Sequence, residues 1–536
     1  MKAKVIHCIV SKDYNTGEIK TWRQEECKDF VKWSKNVSQF IMHNGVSFDA
    51  PILNRILGCG IQLNSVRDTL IESQLYDPLR EGGHSLEKWG EKLNFPKGEL
   101  NDYKEYNEDM LQYCVRDTEL TWKVAHKLDE EGEKFSEKSL ALEHKIRAII
   151  DKQQKNGFAF NIKEAIIFLA KLEQEEQELQ RKAEETFEPT VVKLKTKTKY
   201  IPFNIASRKQ IAERLQEKGW KPTHYTEKQN IIINEKTLSE IKEPEIKPYA
   251  EMFSRYFLLQ KRTGLLKSWI KECDEDNRVR GRVLTLKTVT GRMAHHSPNM
   301  AQVPATYSPY GKECRDLWTV SNSDTYSLVG TDASGLELRC LAHYMKDKNF
   351  IDEVLTGDIH TANQKAAGLE TRDQAKTFIY AFLYGAGPAK IGKVVGGNAE
   401  YGYKLINNFL KKLPALEELR DKIFKEAEGG WIEGLDGRFL KVRSTHSALN
   451  TLIQGAGAIV CKQWLIYMML MTKRANLDVR LVASVHDEYQ FEVLNKHINK
   501  FCTITKQAMK ETTKMLHMKC ELDCDYKVGK TWKTTH

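Results

Sequence analysis

Residues Tyr326 to Arg339, which read Tyr-Ser-Leu-Val-Gly-Thr-Asp-Ala-Ser-Gly-Leu-Glu-Leu-Arg, constrain the fold more than any other stretch of this chain. The apolar lead-in from Tyr326 to Val329 reads as the end of a buried strand, Ala333 to Gly335 as a turn, and Leu336 onward as a helix. A strand, turn and helix in that order set Asp332 at the lip of a sheet. Ser334 and Glu337 have the spacing of a capping box, which predicts that Glu337 ties down the helix start. An acid at a strand end is commonly structural, so Asp332 gains chemical meaning only from a second acidic turn. That turn is His486-Asp487-Glu488, flanked by the apolar runs Leu481–Val485 and Tyr489–Val493. Such a pattern predicts a hairpin with acids at its tip. Two carboxylates on neighbouring strand ends can hold a pair of Mg²⁺ ions about 3.5–4 Å apart, the arrangement that drives phosphoryl transfer.

A chain of 536 residues has room for roughly three or four domains, each with its own core. Its net charge of +10 suits a polyanionic partner better than an acidic one. The 11 cysteines form no C-x-x-C pair, and Cys520 and Cys524 have no second pair to complete a zinc site, so they read as thiols in a reducing compartment. No apolar run reaches the length of a membrane helix. The expectation is a soluble cytoplasmic protein without a membrane partner.

Residues 1–132 alternate short apolar runs with helical stretches. The run Val5–Val10 and the segment Glu18–Trp22 flank a turn-rich stretch, which predicts a strand pair. Asn44, Phe48 and Asp49 resemble the second motif of proofreading 3′–5′ exonucleases, and Tyr113 with Asp117, four apart on one helix face, resembles the third. The family's first motif, an Asp-x-Glu on the leading strand, is missing. The spelling Asp129-Glu-Glu131 ends a polar helix and has the wrong context. A two-metal nuclease without half its carboxylates cannot place both ions, so the exonuclease is expected to be defective unless an upstream start or another chain supplies that strand.

Residues 133–275 read as long, charged helices. Asn161 to Glu164 and Ser207 to Gln210 have capping-box spacing, and the alternating lysines from Lys193 to Lys199 suit a phosphate backbone. The helix around Tyr256–Arg262 is expected to turn Lys261 and Arg262 toward DNA. Further on, Thr371 and Gln374 start a helix on which Arg372, Lys376, Tyr380 and Tyr384 recur every fourth residue, with Ala375, Phe378, Ile379 and Phe382 on an apolar face. Arg372 to Tyr380 covers about 12 Å at 1.5 Å per residue, enough to run from a triphosphate to a base.

Together, Asp332 in its motif, the Arg372/Lys376/Tyr380/Tyr384 helix and Val485-His-Asp-Glu488 resemble the three palm and fingers motifs of family A DNA polymerases, most closely the phage branch of the DNA polymerase I family. Thr290 to Asn299 followed by Gln302-Val-Pro304 is similar to that family's primer-side motif. Ser308–Gly311, Gly357–His360, Gly434–Arg438 and Asn450 with Gln454 also match. The resemblance implies an α/β multidomain chain, with an incomplete RNase H-like 3′–5′ exonuclease domain followed by a right-hand polymerase. The expected boundaries are 1–132 exonuclease-like, 133–275 thumb, 276–340 palm, 341–440 fingers and 441–536 palm again. It implies that Asp332 and Asp487 bind two Mg²⁺ ions, with Glu488 a weaker catalytic support. Glu337 would exclude ribonucleotides, and Arg372 and Lys376, with His360 beside them, would hold the incoming phosphates. Tyr380 implies tolerance of dideoxynucleotides, and Tyr384 would stack near the templating base. Arg292, Asn450, Gln454 and His486 would contact primer or template.

The expected partners are primer–template DNA and deoxynucleoside triphosphates, with a replisome helicase or processivity factor as a further possibility in phage genome replication. The stretch from Phe187 to Phe203 is short, where the best-known phage relatives carry a large thumb insertion that recruits thioredoxin, so thioredoxin is not expected to bind. The alternatives are a repair-type polymerase, a catalytically inactive DNA-binding relative and a nuclease.

Overall fold

The computed structural model describes residues 4–100, 102, 104–193 and 198–536. The expected strand pair at the start is present. β1 (Cys8–Lys12) and β2 (Ile19–Arg23) run antiparallel, with Cys8 opposite Arg23. β3 (Phe40–Met42) and β4 (Val66–Asp68) pair in parallel. The helices α1 (Asp49–Leu57) and α2 (Glu108–Gly132) complete this region around a core that includes Trp22, Phe30, Val46, Trp89, Leu120 and Val124.

α3 (Glu137–Asn156) leads out of that region. Its apolar residues Leu142, Ile146 and Ile150 sit in the core of the large central sheet, so this helix packs with that sheet although it lies within the 133–275 stretch. α4 (Ile162–Thr186) and α5 (Lys247–Lys271) pack along one another. Asn161 and Ser207 cap their helices through their side chains as their spacing predicts, by accepting from the amides of Glu164 and Gln210. Between α4 and the Ser207 helix lies an antiparallel hairpin, Thr190–Lys193 with Thr198–Ile201. The lysine alternation expected there falls partly on 194–197, outside the described residues.

The central sheet is antiparallel in the order β6-β7-β5-β8, where β5 is Tyr326–Ala333, β6 Val479–Val485, β7 Glu488–Leu494 and β8 Cys524–Gly529. β5 is buried almost continuously, as a strand covered on both faces should be, until it reaches Asp332. Four more elements frame the site: α6 (Leu336–Met345), α7 (Arg372–Leu383), the short hairpin Trp431–Glu433 with Phe439–Lys441, and α8 (Ala448–Arg474). α8 is apolar on nearly every side and buried along most of its length, which makes it the central strut of the core. Among the described residues no helix is long and apolar enough to cross a membrane.

Candidate active site

Asp332 is the penultimate residue of β5, and His486 with Asp487 form the two-residue turn between β6 and β7. His486 takes a left-handed backbone (φ 57°), as a tight hairpin turn requires. The amide of Ala333 donates to the Asp487 carbonyl at 3.2 Å, which brings the two acidic positions to one edge of the sheet. In register, Asp332 lies opposite Glu488 on one side and Asp525 on the other. Burial, reinforced by the negative charges of Asp487, Glu488 and Asp525, pushes the Asp332 carboxyl up to about 7. A carboxylate this crowded by like charges gains from a cation beside it, so Asp332 and Asp487 fit a divalent ion.

Glu488 behaves differently. One of its oxygens accepts from Trp532 Nε1 and Gln490 Nε2, both at 2.5 Å, and the other meets His536 Nδ1 at 2.6 Å. Burial opposes ionisation, but these hydrogen bonds and the His536 charge prevail and hold the carboxyl below its usual range. Glu488 thus anchors the tail through Trp532 and His536 while its charge still bears on Asp332 across the strand pair. His536 and Trp532 carried no motif and were missed.

Glu337 is not part of a capping box. Gly335, in the left-handed region, occupies the cap position one residue later than predicted, and the Ser334 hydroxyl donates instead to Asp525 at 2.8 Å. Glu337 is thereby left to pair with Arg292 at 3.0 Å and to accept from the Tyr384 hydroxyl at 3.0 Å. The capping box predicted at Thr371 and Gln374 does form. It starts α7 with Ala375, Phe378 and Ile379 fully buried, while Arg372 and Lys376 are exposed. Arg372 pairs with Asp358 at 2.8 Å. Burial and the charges of Arg372 and Lys376 lower the His360 pKa. The Tyr380 ring is 6.3 Å from His360 and stacks with Tyr384 at 6.5 Å.

A cleft of about 450 Å³ opens at this edge, and Arg292, Asn450, Gln454, His486 and Asp487 all line it. Sequence positions almost 200 residues apart thus meet on one wall. Lys261 on α5 is exposed, but Arg262 is not available to DNA. It is 6% exposed and its Nε donates to the Pro309 carbonyl at 3.1 Å, so its expected DNA contact is corrected to an internal one.

In the N-terminal region, burial and the charge of Asp68 raise the Asp49 carboxyl to about 6. Asp68 was not singled out by sequence. It is fully buried, caps the following helix and accepts from the amides of Asn44 and Val46. Asp117 is paired with Lys97 at 3.3 Å, and the Lys97 ammonium lies 5.2 Å from the centre of the Tyr113 ring. Asp129 and Glu131 pair with Arg67 and Arg80, so neither replaces the missing first motif.

The profile of DNA polymerase family A matches residues 169–534. The chain belongs to that family. Two phage relatives place it in the family's phage branch. The DNA-directed DNA polymerase of Enterobacteria phage T3 is 30% identical over all of this chain and 98% of its own length, and that of Escherichia phage T7 is 31% identical over 99% and 97%. The fold agrees with a solved structure described as the POL domain of Pol1 from M. smegmatis in complex with DNA primer-template and dNTP. That likeness covers 98% of this chain and 95% of the other with a TM-score of 0.82, at 17% identity.

Proposed function

We propose that Asp332 and Asp487 carry the template-directed addition of deoxynucleotides to a primer 3′-OH. The chain is a DNA-directed DNA polymerase of family A. The observation that carries the assignment is the meeting of the two carboxylates at one sheet edge, at the mouth of a cleft lined by Arg292, Asn450 and Gln454. Asp332 and Asp487 would hold two Mg²⁺ ions, which when bound supply charge neutralisation for the triphosphate and a more acidic primer hydroxyl. Arg372 and Lys376 are exposed on α7 to take the phosphates. The Asp358 pair is exposed to water and salt, so Arg372 readily exchanges it for them. Arg292, Asn450, Gln454 and His486 line the surface that the primer–template duplex would follow, and Lys261 is exposed on α5 to meet a phosphate. A labelled primer–template extended with Mg²⁺ and deoxynucleotides tests the assignment. Template-dependent lengthening is expected, and its absence in the folded protein would favour an inactive DNA-binding relative.

Glu337 supplies the sugar gate in this reading, because Arg292 and Tyr384 hold its carboxylate rigidly. Glu337→Ala should raise the ratio of ribonucleotide to deoxynucleotide incorporation by at least about tenfold, the effect of opening a steric clash worth ~1–3 kcal/mol. Competition between matched nucleotide pairs measures it, and an unchanged ratio would remove Glu337 from that role.

The exonuclease-like region is read as unable to proofread. The Lys97 ammonium already neutralises Asp117, and Asp68 spends its oxygens on backbone amides. Incubation with Mg²⁺ and no nucleotides should leave a 3′-mismatched primer at full length, whereas shortening would mean that other acids complete that site. Thioredoxin recruitment does not enter the reading. The span aligned with the phage T3 relative is 693 positions, longer than this chain, so that relative carries segments absent here. Replicative and repair roles share this chemistry, and full-length similarity to phage enzymes favours replication.

A further inference from the structure

A cluster of buried charges behind the cleft is unused by the chemistry above. Glu143 on α3, Arg438 in the turn of the Trp431–Lys441 hairpin and Lys462 on α8 are each no more than 1% exposed, and Asp436 is 9% exposed. The Lys462 ammonium donates to both Glu143 oxygens at 2.7 Å and to the Thr285 carbonyl at 2.9 Å, so its three protons are all used. Arg438 gives Nη1 to Glu143 at 2.8 Å, and Nε and Nη2 to Asp436 at 2.9 and 2.7 Å. The four charges cancel. Replacing a balanced buried set of this kind with apolar residues is often neutral or stabilising, so stability alone does not account for it.

Geometry gives it a use. Thr285 and Gly291 bracket the segment that leads into Arg292, and the cluster grips both ends. Lys462 holds the Thr285 carbonyl, and the Arg438 guanidinium lies so close to Gly291 that an added Cβ would meet Nη1 at 3.0 Å. Lys462 also sits eight residues beyond Gln454 on α8, about 12 Å along the same rigid helix, and it lines the cleft. Beyond the cluster, α3 reaches the exonuclease-like region, where Arg147 Nε donates to Ser47 at 2.5 Å and His144 accepts from the Asp68 amide at 2.9 Å.

We propose that Glu143, Arg438 and Lys462 are positioning residues. They lock α8 and the 285–292 segment to α3, so that Arg292, Asn450 and Gln454 present one preformed surface to the primer–template duplex. Apolar packing could fill the same space, but charge-assisted hydrogen bonds also fix direction. The proposal rests on the polymerase reading of the cleft and deepens it. It further implies that the exonuclease-like region, without nuclease chemistry, serves as the abutment for α3.

The test compares K462M with the double variant E143Q/K462M. Primer–template affinity is read by fluorescence anisotropy, single-turnover incorporation at saturating DNA and nucleotide, and folding by thermal midpoint. K462M leaves Glu143 short of a partner and should lower the midpoint. E143Q/K462M removes both charges and should recover most of it. In both variants the dissociation constant for primer–template should rise about tenfold, with the saturated incorporation rate within about threefold of the parent. Parental DNA affinity in the refolded double variant would show that the cluster only stabilises the fold and would overturn the proposal. So would a fall in the saturated rate at unchanged affinity. If the parent protein binds primer–template but does not extend it, the polymerase assignment fails while the positioning role is still decided by the affinities.

Discussion

Asp332→Asn should lower single-turnover nucleotide incorporation by about three orders of magnitude or more, while the dissociation constant for primer–template stays within about threefold. The substitution preserves size and strand register but removes the charge that Asp332 and Asp487 share at the sheet edge. Loss of a metal-holding carboxylate forfeits several kcal/mol of transition-state stabilisation, and each 1.36 kcal/mol is about a factor of ten. DNA affinity rests on other residues, those lining the cleft and the basic surface around it. Asp487→Asn should behave alike. Synthesis retained to within tenfold in either variant would sink the assignment and point to the neighbouring Asp525, whose carboxylate is exposed opposite Asp332.

Trp532→Ala should cost about 3–5 kcal/mol of stability, the range for emptying a large buried aromatic site. The Trp532 ring is fully buried among Phe158 and Trp318, with the Arg315 guanidinium 4.4 Å from its centre. Its indole also donates to Glu488. The substitution therefore opens a cavity and strips a donor from a buried carboxylate at once. Trp532→Phe removes the donor but keeps most of the buried volume, which should cost about 1–3 kcal/mol. Urea unfolding of the two variants separates the contributions. Equal losses would mean that the hydrogen bond dominates, and no loss in either would mean that Trp532 does not anchor the tail.

What the sequence could reveal depended on whether the decisive contacts were local. Asp332 and Asp487 were legible because strand burial, small-residue turns and hairpin tips are written in consecutive residues. The start of α7 was legible for the same reason, since Thr371 and Gln374 meet across one helical turn. Ser334 shows the limit of such rules: with Gly335 left-handed, the helix starts one residue later and the hydroxyl goes to a strand partner nearly 200 residues away. Arg262 points inward for a local reason. It falls between Leu259, Leu266 and Trp269 on the buried stripe of α5, so helical spacing already placed it inside. Asp68 also had a local signal, an Asp directly before an apolar helical run. The roles of Glu488, His536 and Lys462 had none, because their partners are brought in by tertiary folding from distances of 44 to 319 residues.

The cluster of Glu143, Arg438 and Lys462 also constrains how this chain can change over evolutionary time. Losing any one member strands a charge in the interior, a penalty of about 3–5 kcal/mol that can exceed the margin by which a domain stays folded. A lineage leaving this arrangement must therefore cross a poorly folded intermediate or change two positions almost together. Among descendants, positions 143 and 462 are expected to be inherited as a pair or replaced as a pair, even where the surrounding surface drifts freely.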